Sequence, residues 1–293
     1  MKHFGEVLTA MVTPFDQELK VDLSKARELA RYLIANGSDG LVVLGTTGEV
    51  PTLSTTEKLS LLETIVDEVG DQTTVIAGTG SYSTDASLEL SKKAAAIGVD
   101  GVMLVVPYYN KPPQGGLYQH FKKIATGIDL PILLYNVPGR TACNLEVNTL
   151  IKLAEIDNII AVKEASLDMA QISTLTRVLP EDFYVYSGED TFTLPILAVG
   201  GQGVVSVAAH LVGVEIKRMI QAFKAGKVEE AIALNKQLGP IFEAVFITTN
   251  PIPVKAALNM VGLNVGSLRP PLLNLMPDEE EVLKGIVTDY GLV

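Results

Sequence analysis

The sequence predicts an α/β protein of the (β/α)₈ barrel class carrying a small C-terminal helical extension. Two observations lead there. Eight short, apolar, mostly β-branched runs alternate with longer amphipathic segments, and the runs lack the in/out alternation of half-exposed strands. The chain has 293 residues, a common length for a one-domain barrel. An open doubly wound sheet is the alternative arrangement of the same alternating elements.

The eight runs are Val7–Val12, Gly40–Leu44, Thr74–Ala77, Gly101–Val106, Pro131–Tyr135, Ile159–Lys163, Tyr184–Ser187 and Gly203–Val207. Between them lie helical signals. Asp22–Asn36 places Leu23, Ala26, Leu29, Ala30 and Leu33 on one face, with Gly37 as a stop. Ser54-Thr55-Thr56-Glu57 reads as a capping box for a helix ending near Gly70. Ser87–Ile97 ends similarly at Gly98. Beyond Gly213 the strands stop, and Ile216–Ala225, Val228–Thr249, Val254–Val261 and Glu279–Tyr290 read as helices. We divide the chain into a barrel core over 1–212 and, in the same structural unit, a last barrel helix with helical extension over 213–293.

Composition narrows the partners. Apolar residues make up 47%, enough for a large core, and 23 basic against 34 acidic residues give a net charge of −11. Such a surface repels nucleic-acid phosphates and anionic lipid, so neither a nucleic acid nor a membrane is expected as a partner. One cysteine, Cys143, permits no internal disulfide. Met1–Glu6 has no signal-peptide core and no apolar run approaches the roughly 18 residues of a membrane span, so the expected compartment is the cytoplasm.

Barrel enzymes place chemistry where strands end. The sixth run closes on Lys163. Strand alternation puts Ile159, Ala161 and Lys163 on one side, and Ile160 and Val162 on the other. Desolvation would leave such a lysine a free amine able to attack a carbonyl. An ion-paired lysine at the barrel mouth, with Glu164 as partner, explains the position equally well. The fifth run ends in Tyr135, either a proton shuttle or a core phenol with its hydroxyl at the rim. Gly45-Thr46-Thr47-Gly48-Glu49 can offer hydroxyls and backbone N–H groups to a carboxylate, or is an ordinary strand-to-helix loop. Arg140 follows the fifth strand and suits bidentate carboxylate binding, or is a solvated surface arginine. Tyr108 and Tyr109 sit in a proline-stiffened loop that fits a lid, an interface or plain packing. His3, His120 and His210 match no metal-ligand spacing, there is no phosphate-binding loop, and Gly200-Gly201-Gln202-Gly203 lacks a dinucleotide fingerprint.

Together these motifs resemble the dihydrodipicolinate synthase family within the class I pyruvate-aldolase superfamily. The resemblance runs from Gly45-Thr46-Thr47-Gly48-Glu49 through Tyr108-Tyr109-Asn110, Tyr135-Asn136-Val137-Pro138, Arg140-Thr141, Val162-Lys163-Glu164 and Ser187-Gly188 to Asn250–Lys255. It implies condensation of pyruvate with L-aspartate 4-semialdehyde on the route to diaminopimelate and lysine, with no metal or organic cofactor. It implies that Lys163 forms the imine and that Tyr135 relays protons. Thr47, beside Thr46, bonds Tyr135 and holds the pyruvate carboxylate. Tyr109 reaches a neighbouring subunit's site, Arg140 takes the semialdehyde carboxylate, and Gly188 and Val205 line the pyruvate end. The implied assembly is a homotetramer of two tight dimers, a dimer being the smaller alternative. Where lysine-inhibited members commonly carry histidine, asparagine and glutamate, this chain has Lys58, Tyr82 and Ala86, which implies weak or absent lysine inhibition. Other Schiff-base aldolases, acting on N-acetylneuraminate or 2-keto-3-deoxy sugar acids, share the scaffold, and a non-catalytic small-molecule sensor is the reading from another class.

Overall fold

The computed structural model describes residues 3–293. Strand β1 (Val7–Ala10) pairs in parallel with both β2 (Gly40–Val43) and β8 (Gly203–Ser206). With β3 (Thr74–Gly78), β4 (Gly101–Val105), β5 (Ile132–Asn136), β6 (Ile159–Glu164) and β7 (Tyr184–Ser187) between them in sequence order, the sheet closes into a barrel.

Alternate side chains of each strand enter two separate cores. Leu8, Ala10, Val42, Ile76, Met103, Leu133, Ala161 and Val205 fill the barrel. Their neighbours Val7, Leu41, Val43, Val75, Val102, Leu134, Val162 and Val204 pack outward against helices. Both faces are therefore dry, which is why the strands read as continuous apolar runs. Phe4 plugs the N-terminal end, and Tyr186 fastens it by donating its hydroxyl to Gly5 O at 2.9 Å.

The expected alternation in the sixth run holds only from Ala161 onward. Ile132 pairs with Ile159, but Leu133 pairs with Ala161, so Ile160 is an extra residue in β6. Ile159 consequently joins the outer core while Ile160 packs against the inner one. A bulge changes the parity of a strand; above it, Ala161 and Lys163 share the barrel interior.

The helix facing β2 and β3, Thr55–Val69, starts in the predicted capping box: Ser54 Oγ accepts from Glu57 N, and Glu57 reaches back to Ser54 N. Other boundaries differ from expectation. The third helix begins at Thr84, capped by Ser83. The helix predicted over Val228–Thr249 stops at Ala244, and the next runs Ile252–Met260. The last spans Pro277–Asp289. Among the described residues, no helix is long and apolar enough to cross a membrane.

Candidate active site

Lys163 on β6 lies in register with Tyr135 on β5 and Tyr186 on β7. Its Nζ stands 4.3 Å from the centre of the Tyr135 ring. Both side chains are buried at the C-terminal end of the barrel. Glu164 is not the partner of this lysine. It points to the other side of the strand, where it accepts from Asn136 Nδ2 at 3.0 Å, Ser166 N at 2.8 Å and Gln171 Nε2 at 3.2 Å. Among the described residues Lys163 forms no salt bridge.

Burial therefore acts on Lys163 without a contact ion pair, and it lowers the ammonium pKa to about 8. The negative ends of Asp190 and Glu189 oppose that shift and Arg140 adds to it. Burial also pushes Tyr135 up to about 12, so its phenol keeps its proton across the neutral range. Glu189, half-buried beside Asp190, is pushed up by desolvation to about 7. Asp190 is itself saturated: it accepts from Ser206 Oγ and from Val207 N and Ala208 N, both at 3.0 Å, and so holds the turn after β8.

These groups surround a cavity of about 190 Å³, large enough for a small keto acid. Thr46, Thr47, Tyr135, Arg140, Lys163 and Gly188 all line it. A second space of about 200 Å³ shares Thr46, Tyr135 and Arg140 with the first and extends towards Tyr108. Arg140, on the one-turn helix Pro138–Thr141, is exposed and free of salt bridges among the described residues. Its guanidinium can meet an incoming carboxylate from either space. Among the described residues there is no group of three or more His, Cys, Asp or Glu side chains placed to hold a metal.

Two expected site residues lie elsewhere. Val205 belongs to the buried layer beneath the cavity, paired with Leu8, and Val207 forms the wall at that strand end. Tyr109 stands outside the cavity, 92% exposed, on backbone with φ of +71°. Its neighbour Tyr108 packs edge-on against Tyr82, ring centres 5.3 Å apart. The hydrogen bond expected between Thr47 and Tyr135 is not made. Thr47 Oγ1 accepts from Asn250 Nδ2 at 2.9 Å, and the hydroxyl beside Tyr135 is that of Thr46.

Three contributors were missing from the sequence reading. Glu189 and Asp190 follow Gly188 directly, and reading two residues past the seventh run would have found them. Asn250 opens the Asn250–Lys255 motif, which by itself assigns it no role. Behind the threonine turn lies a buried ion pair: Lys255 Nζ donates to Glu49 Oε1 at 2.8 Å, to Thr13 O at 3.0 Å and to Ser267 O at 2.6 Å. Glu49 Oε2 accepts from Arg269 N at 2.9 Å. Lys255 and Glu49 side chains are 1% and 0% exposed. Phe15 packs its ring against both cations, 4.2 Å from Lys255 Nζ and 4.5 Å from Arg269 Cζ.

A barrel with an unpaired, desolvated lysine at one strand end and a protonated phenol at the next is laid out as a lyase of the class I aldolase type. Residues 3–290 match the model of the dihydrodipicolinate synthetase family. The chain is 56% identical over 290 residues to the 4-hydroxy-tetrahydrodipicolinate synthase of Desulforudis audaxviator, covering 99% of both chains. It is 54% identical over 291 residues to that of Desulforamulus reducens, covering 99% of this chain and 98% of the relative. Among solved structures, it superposes on a dihydrodipicolinate synthase of Bacillus anthracis with a TM-score of 0.96 at 49% identity, covering 98% and 99% of the two chains. On the lysine-bound enzyme of Cyanidioschyzon merolae the score is 0.97 at 47% identity, covering 99% of each. The chain therefore belongs to the dihydrodipicolinate synthetase family and is an enzyme, a lyase of the class I aldolase type.

Proposed function

We propose that this enzyme condenses pyruvate with L-aspartate 4-semialdehyde through an imine on Lys163, in diaminopimelate and lysine biosynthesis in the cytoplasm. The observation that carries the reading is the contact of Lys163 with Tyr135, 4.3 Å from amine to ring centre inside a small buried cavity. With its pKa lowered to about 8, roughly a tenth of Lys163 is free amine near neutrality, far more than an unperturbed lysine carries. The amine attacks the pyruvate carbonyl, and the Tyr135 hydroxyl passes protons as the carbinolamine loses water. Thr46 and Thr47 hold the keto-acid carboxylate. The imine acidifies the adjacent methyl group, and the resulting enamine carbon attacks the semialdehyde, whose carboxylate Arg140 takes. Gly188 leaves room for the imine, and Val205 supports the pyruvate end from below.

Tyr109 belongs to this machinery through assembly. An aromatic side chain 92% exposed at a positive φ suits insertion into a second copy, and we place it in the neighbouring subunit's site within a homotetramer of two tight dimers. Sedimentation velocity tests the assembly, and a wild-type monomer would remove the role given to Tyr109.

Lysine feedback is weak or absent. The space beside Tyr108 and Gly80, about 290 Å³, is lined by Lys58, Lys93, Glu89 and Ala86. Lys58 and Lys93 outnumber the one carboxylate of Glu89, so the space disfavours cationic lysine, and Ala86 offers its amine no partner. Inhibition by sub-millimolar lysine would refute this.

Reduction with borohydride in the presence of pyruvate, read by intact-protein mass spectrometry in wild type and Lys163→Ala alongside turnover with the semialdehyde, tests the reaction. An adduct in the wild type alone, with product, is the expected result. An adduct without turnover would move the substrate to a sugar acid or the function to a sensor, and no adduct would overturn the mechanism.

A further inference from the structure

One C-terminal segment grips the threonine turn at two points. Asn250 Nδ2 donates to Thr47 Oγ1 at 2.9 Å, and five residues further on Lys255 Nζ donates to Glu49 Oε1 at 2.8 Å. Thr47 is 3% and Asn250 6% exposed, and both line the Lys163 cavity. A hydroxyl has one proton to give and two lone pairs to receive with. With one lone pair filled by an amide that cannot accept at the same atom, the Thr47 proton must point elsewhere, and among the described residues it meets no other acceptor. The second amide atom, Asn250 Oδ1, is buried without a partner.

We infer that Asn250 is a positioning residue that compels Thr47 to donate its hydroxyl proton into the cavity, so that the turn presents a fixed donor to the carboxylate of the keto acid. This rests on the pyruvate reading above. Glu49 and Lys255 secure the arrangement from behind. Both carboxylate oxygens of Glu49 are occupied, so the turn cannot roll to exchange one hydroxyl orientation for another. Asn250 thereby governs substrate affinity without touching a reacting atom.

The test is Asn250→Asp, which keeps the shape and replaces the donor by an acceptor. The Thr47 proton should then turn towards residue 250 and leave the cavity. The expected result is a rise of about tenfold in the pyruvate KM, with kcat changed by less than about twofold. Thr47→Val, which removes the hydroxyl, should raise the KM by a similar factor, and Asn250→Asp should add nothing in the Thr47→Val background. If the double variant is worse by the full factor, the carboxylate acts by repelling the substrate and the inference falls. It falls equally if Asn250→Asp leaves KM unchanged, because the wild-type hydroxyl must then already donate to Asn250. Should Asn250→Asp not fold, Asn250→Ala takes its place, with a KM rise of about threefold that disappears in the Thr47→Val background. Borohydride trapping of pyruvate on the wild type runs in parallel. Failure there would refute the pyruvate reading itself, whereas normal wild-type trapping with an unchanged variant would refute only the role of Asn250.

Discussion

Gly188 lies so close to Lys163 that a Cβ at position 188 would stand 3.0 Å from Lys163 Cε and 2.7 Å from Ala165 Cβ. The lysine stem runs in a slot that only a missing side chain leaves open. Gly188→Ala should displace Nζ from the Tyr135 ring at a cost of about 1–3 kcal/mol in stability. The rate of pyruvate adduct formation should fall about 10²-fold. Thermal unfolding and rapid-quench trapping measure the two effects. Unimpaired trapping would show that the slot has slack.

Burying Lys163 works against the fold. Its pKa is about 8 when folded and 10.5 when unfolded, so between those values the unfolded chain binds more protons and stability rises with pH. Below about pH 8 the whole cost is present. Lys163→Met should therefore exceed wild type in stability at pH 7 by about 1–3 kcal/mol. The figure is held down because Asp190 and Glu189 lose a nearby cation. The gap should close as pH approaches 10.5, and urea titrations at pH 7 and 10 would reveal a constant difference if the amine were not the cause.

The same burial sets the pH profile of the reaction. Free amine accumulates as pH passes about 8, so kcat/KM should climb through that region, while Tyr135, at about 12, stays protonated throughout. Tyr135→Phe should lose about 10²–10⁴-fold in turnover yet still bind pyruvate. A variant retaining more than a tenth of wild-type kcat would transfer the proton relay to another group.

Glu49 and Lys255 form a buried pair whose single removal strands a charge. Lys255→Met should cost about 3–5 kcal/mol, most of it regained in the Glu49→Gln/Lys255→Met double variant. Equilibrium unfolding in guanidinium distinguishes this from simple loss of packing, which the second substitution would not repair.

Legibility in the sequence followed the range of each interaction. The barrel was readable because strands dry on both faces leave unbroken apolar runs, and Lys163, Tyr135 and Arg140 stood out as polar ends to such runs or just beyond them. The β6 bulge was hidden because Ile159 and Ile160 are chemically alike, and no local signal marks which one is extra. The helix predicted to Thr249 ends at Ala244 because the β-branched Val245, Ile247, Thr248 and Thr249 and then Pro251 disfavour helix, a local cue that the apolar period outweighed. Asn250 and Lys255 were beyond reach for a different reason. Their partners lie 203 and 206 residues away, and neither polarity nor spacing near residue 250 points to the turn after β2.

That separation also orders the birth of the protein. By Ser206 every strand has been synthesised, yet Thr47 and Glu49 still await Asn250, Lys255 and Arg269. A polypeptide released at that stage has all eight strands and the bond from Thr13 Oγ1 to Gly48 O at 2.7 Å, but none of the C-terminal grips on its threonine turn. The threonine turn is therefore completed only by the stretch from Asn250 to Arg269, and a chain interrupted before it lacks those grips on the pocket.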